Sequence, residues 1–145
     1  MFEEEHIIAL KDVILACRDA EARYETASSA VTDEALTEKF RNVSKARSRG
    51  AFRLETAIKK VGSFPKAPDP EKQALKSLWT HLKTAVAEDE LNVLFHECLN
   101  LESEIVNRCA TALQYTFPDE IVQTLAELKQ VSTSFEKCLE QRIIS

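Results

Sequence analysis

A chain of 145 residues suits a single domain, spanning 1–145, that buries one core without help from disulfides. Only 2 glycines and 4 prolines, amid abundant alanine, leucine, glutamate and lysine, exclude turn-rich β architectures and describe long helices. The 19 basic and 24 acidic residues give a net charge of −5 without a basic block, which argues against nucleic acid as a partner.

From Glu5 to Val31, apolar or small residues recur at Leu10, Val13, Cys17, Ala20, Tyr24, Ala27 and Val31, in steps of three and four. That spacing predicts a helix with one buried stripe. Thr32, Asp33 and Glu34 supply an N-cap and a negative first turn, so a second helix starts at once and returns antiparallel. Its seam runs through Leu36, Phe40, Val43, Arg47, Gly50, Leu54, Ala57 and Val61, and an arginine and a glycine interrupt it. Gly62 is placed to end this helix in a left-handed conformation.

The stretch SFPKAPDP, Ser63 to Pro70, reads as a loop, and Asp69-Pro70-Glu71 opens a shorter helix to about Ala87 with Trp79 on its apolar face. A third long helix is expected from Asp89 to Tyr115, on Leu91, Leu94, Cys98, Leu101, Ile105 and Ala112. Phe95, Leu99, Val106, Cys109 and Leu113 widen its apolar face, so the Trp79 helix or a second copy of the chain is expected to cover it. Pro118, Asp119 and Glu120 start the last helix, with Ile121, Leu125, Leu128, Ser132, Phe135, Leu139 and Arg142 as its stripe.

Two short turns and one long middle connection, with a short helix long enough to cover on the order of 25 Å, make an all-α, antiparallel four-helix bundle with one long crossover. No apolar run approaches the ~20 residues that span a bilayer, and the acidic start MFEEEH is unlike a signal peptide, so the chain reads as soluble and cytoplasmic. Cys17, Cys98, Cys109 and Cys138 contain no C-x-x-C pair; Cys17 and Cys98 lie on apolar seams and read as small buried hydrophobes, with a disulfide or thiolate metal site as the lesser reading.

The segments LKDVILACRDAEARYETAS, TDEALTEKF, KARSRGAFRLETAIKKVG, SLWTHLKTAVAEDE and FHECLNLESE resemble the bacterial ferritin-like four-helix-bundle proteins grouped as a domain of unknown function. The resemblance covers nearly the whole chain and implies a ferritin-like fold without supplying a reaction. Tyr24, Arg47, Glu97, Cys98 and Glu102 occupy recurring family positions. Ala22, Gly50 and Phe135 stand where the family tends to show an acidic residue, a histidine or aromatic, and a histidine, so metal-ligand positions look lost.

A ferritin-type pair of iron or manganese ions needs two inward glutamates and two Glu-x-x-His motifs. The one Glu-x-x-His is Glu3 to His6, at the terminus; His81 belongs to the short helix and His96 to the outer side of the third. Glu21, Glu55, Glu97, Glu102 and Glu104 remain as carboxylates for a histidine-free site, of which Glu21, Glu97 and Glu102 are the metal candidates, although most helical glutamates are simply solvated. Arg47 offers another use for them. A guanidinium on an apolar seam needs acceptors, so Arg47 is expected to pair with Glu102 first and Glu21 or Glu97 next, unless its long stem carries the head to the bundle edge.

No nucleophile-base set follows from three peripheral histidines, two glycines exclude a phosphate-cradling loop, and Tyr24 reads as a packing residue. The sequence therefore points to a non-enzymatic bundle without a cofactor, a structural or interaction module with a protein partner or self-association. The alternatives are an iron- or manganese-binding protein in storage, sensing or oxidative stress, and a bundle holding a small apolar ligand.

Overall fold

Asp33 shows how local chemistry divides the chain. Its carboxylate accepts the Leu36 amide at 3.0 Å, which caps one of the free N–H groups at a helix start. The computed structural model describes residues 4–62 and 90–143. Within them, α1 spans Glu5–Ala30, α2 Glu34–Lys60, α3 Leu91–Ala112 and α4 Asp119–Arg142. The expected short helix carrying Trp79 and His81 lies outside the described residues. Gly62 has φ 78, the left-handed turn that stops α2 and that a side chain would strain.

The four helices pack as a square in which α1 and α4 each touch both α2 and α3. Contacts at matching levels set their directions. Glu5 meets Tyr115 at 3.5 Å and Asp12 meets Arg108 at 3.5 Å, so α1 and α3 are antiparallel. Phe40 lies 6.5 Å from Phe135 and Arg53 reaches Glu127 at 3.1 Å, so α2 and α4 are antiparallel too. Because α1 also opposes α2, the diagonal pair α2 and α3 run the same way. Lys60 and Leu91 therefore sit at opposite ends of a bundle roughly 40 Å long.

Every residue of the α1 stripe is buried, as are Leu36 through Leu54 of the α2 seam. Beyond Leu54 the observed seam departs from the heptad count: Ala57 is half-buried and Val61 is 66 % exposed, while Ala51 and Ile58 are fully buried. A straight α-helix falls about 20° short of a heptad repeat every seven residues, so by the end of α2 the core-facing line has moved to a neighbouring residue. On α3, Phe95 and Cys109 enter the core, and Leu99 and Leu113 pack at its margin. Most of the broad apolar face is thus used inside the bundle. On α4, Thr124 joins the buried stripe and Arg142 lies in solvent.

An ion pair across the bundle diagonal as the candidate functional site

Arg47 is 0 % exposed, at the level of α2 where the seam faces the bundle axis. It does not lead to the edge. Its terminal Nη2 donates to Oε1 of Glu102 on α3, which is also 0 % exposed. Diagonal helices meet only through the middle of the bundle, so this pair occupies the axis itself. The second Glu102 oxygen accepts the Tyr24 hydroxyl at 2.6 Å, and that hydroxyl lies 3.5 Å from the Cys98 carbonyl. Three helices thereby contribute one guanidinium, one carboxylate and one phenol to a buried network.

Aromatic packing fixes the phenol. Tyr24 stacks on Phe40 at 5.9 Å and 14°, and Phe135 meets the Tyr24 ring edge-on at 5.6 Å and 78°. Phe135 thus closes an aromatic cap over the polar network. Tyr24 both packs and donates. The hydroxyl role was not visible in the sequence, since nothing local to Tyr24 says which acceptor the opposite helix brings.

Burial governs the titration of these groups. It holds the Tyr24 hydroxyl well above its ordinary value, with the Glu102 charge adding to the effect. Burial also pushes the Cys17 and Cys109 thiols up to about 12, against the opposing influence of the Arg47 cation. Cys98 is raised as well, by burial and then by Glu102. Such thiols stay protonated at neutral pH, which makes them poor nucleophiles. All four cysteines are free, and Cys138 alone is half-buried.

The other candidate carboxylates are engaged away from the axis. Glu21 accepts from Arg18 Nη1 at 2.8 Å, and Glu55 takes the remaining edge of the same guanidinium, with Nε to Oε2 at 3.1 Å. That fork, with Ser48 Oγ at 3.2 Å from Nη1, clips α1 to α2 on the outside. Glu104 pairs with Arg108 at the surface, and Glu97 is half-buried beside Cys98. His96 is exposed, and His6 sits at the start of α1 against Phe117.

A ferritin-type metal pair fits these residues poorly. Among the described residues no three histidine, cysteine, aspartate or glutamate side chains converge. The one carboxylate on the axis has both oxygens engaged, and the neighbouring guanidinium repels a cation. Also among the described residues, no helix is long and apolar enough to cross a membrane.

No match to the sequence was found among curated proteins. A family model covers residues 5–115, which takes in α1, α2 and α3 with Tyr24, Arg47 and Glu102 and stops short of α4. By that match the chain belongs to the family described as Domain of unknown function (DUF2383).

Proposed function

We propose that this chain is a bacterial, cytoplasmic, ferritin-like bundle that works without a metal, as a structural or protein-interaction module rather than an enzyme. The observation that carries the reading is the Arg47–Glu102 pair on the bundle axis. In a ferritin-like fold that level would hold inward carboxylates around metal ions; here an internal cation stands against the carboxylate and a tyrosine engages its other oxygen. The parallel arrangement of α2 and α3 supports the ferritin-like assignment. Exposed apolar side chains, Phe52 at 65 % and Val131 at 42 %, support a role in contact with a protein partner or a second copy.

Metal analysis of untagged protein, purified without chelator and then challenged with ferrous and manganous ions, tests the reading. The expected result is less than stoichiometric metal and no change in thermal unfolding midpoint; a stoichiometric metal that raises the midpoint overturns it. The rival, an iron- or manganese-binding protein, draws on one observation: half-buried Glu136 on α4 has a carboxyl raised by burial and then by the Glu102 charge, which makes it a second acid within electrostatic reach of the pair.

A further inference from the structure

Glu102 takes one terminal nitrogen of Arg47. The other terminal nitrogen, Nη1, and Nε are buried with no hydrogen-bond partner among the described residues. Each buried N–H left unmade costs about 1–3 kcal/mol, more on a charged group, so a fold that keeps both has a reason to be sought beside them.

Arg47 is also one of the residues that line a half-open cleft of about 150 Å3 between α2 and α4, together with Arg49, Gly50, Arg53 and Glu127. Gly50 keeps its wall thin: a Cβ there would come within 2.5 Å of Leu128, which lines the opposite side. Arg49 and Arg53 stand one turn apart on α2, so their guanidiniums reach the same stretch of the mouth. Glu127 is the only acid of the lining, and it already accepts from Arg53 at 3.1 Å. With Glu102 set against Arg47 and Glu127 against Arg53, the charge of Arg49 is left over.

We propose that this cleft binds a tetrahedral oxyanion of the phosphate or sulfate type, Arg47 supplying donors from its floor and Arg49 and Arg53 from its mouth. The volume equals that of about five waters, enough for such an ion and about two or three waters around it. Donors that arrive from the floor and from two rim positions suit an anion with oxygens on several sides; a planar carboxylate offers two. Arginine is also the side chain whose fork of N–H groups matches oxyanions, and in a cleft walled by Leu128 and Val131 each such bond is less screened than at an open surface. The site goes beyond a scaffold role and does not depend on whether the bundle lacks metal.

The test is a titration of the full chain, labelled with 15N at its arginine side chains, with inorganic phosphate, sulfate or acetate at constant ionic strength in chloride. Phosphate and sulfate are expected to shift the Arg47 Nε–H resonance saturably, and acetate to do so at least about tenfold more weakly. Arg49→Gln with Arg53→Gln, both at exposed positions that leave the core intact, is expected to weaken binding about tenfold, and Glu127→Gln to strengthen it about threefold. Shifts confined to Arg49 and Arg53 would reveal an adventitious ion only and overturn the proposal. An Arg47 resonance that moves with no anion, or equally with all three, overturns it as well.

Discussion

Replacing Arg47 with Met removes a charge from a pair whose two side chains are each 0 % exposed. Breaking a buried pair from one side costs about 3–5 kcal/mol, because the remaining charge has lost its counterpart. The two single substitutions are not equivalent here. After Arg47→Met, Glu102 keeps the Tyr24 hydroxyl at 2.6 Å, which places the loss near the lower end of that range. After Glu102→Leu, Arg47 keeps no acceptor among the described residues, and Tyr24 is left with the long contact to Cys98. That change belongs at the upper end. The double variant removes both charges, and buried pairs replaced by apolar residues are commonly neutral or more stable, so it is expected to lie within about 1 kcal/mol of the parent once the stranded phenol is counted. Urea unfolding followed by far-UV circular dichroism gives all three values and the coupling between the sites. Losses that simply add in the double variant would refute the reasoning, since they would mean that the two side chains do not depend on each other.

Gly50→Ala gains helix propensity of about 1 kcal/mol but drives a methyl into Leu128, and overpacking of about 1–3 kcal/mol outweighs it; a higher melting temperature would contradict this. Alkaline pH is a second probe. Above pH 9 the unfolded chain loses the Cys17 and Cys109 protons while the native state, with values of about 12, retains them, so stability falls as pH rises from 9 to 12. Each thiol adds a slope of about 1.4 kcal/mol per pH unit, and Cys17→Ala with Cys109→Ala should flatten urea midpoints measured across that window. A soluble disulfide reagent at neutral pH is expected to modify Cys138 first, with the three buried thiols reacting only as the bundle opens. Three or four equally fast thiols would show that the core is not closed around them.

Much of the fold was legible because helical signals are local. The α1 stripe from Leu10 to Val31, the Asp33 cap and the Gly62 stop each depend on residues within a turn or two of one another, and each is found where its pattern places it. The α2 seam was legible only as far as Leu54. A heptad count accumulates angular error with length, and Val61 stands in solvent while Ile58 takes the buried place. The extra apolar residues of α3 divide, because the sequence does not say how deeply a helix sits among its neighbours: Phe95 and Cys109 prove to be core, Leu99 and Leu113 are partly buried at its margin, and the helix expected to cover them lies outside the described residues.

The candidate site divides in the same way. An arginine at position 47 of an apolar seam is a statement the sequence makes alone, since its period sets that position inward; that the head stays inside and does not reach the bundle edge is decided by the structure. Which acid answers it is a tertiary matter. Glu21, also proposed, is taken by Arg18, whose position on the outer edge of α1 lets one guanidinium serve Glu21 and Glu55 together. Glu102 reaches Arg47 because α2 and α3 lie on the bundle diagonal and face each other across the axis. The sequence by itself determined four amphipathic helices, their turns and one arginine at an inward position, all of which follow from spacing along the chain. Only the tertiary structure decided that Glu102 and Tyr24 complete the network and that two Arg47 nitrogens are left without a partner among the described residues, because those facts depend on distances between residues more than 20 positions apart.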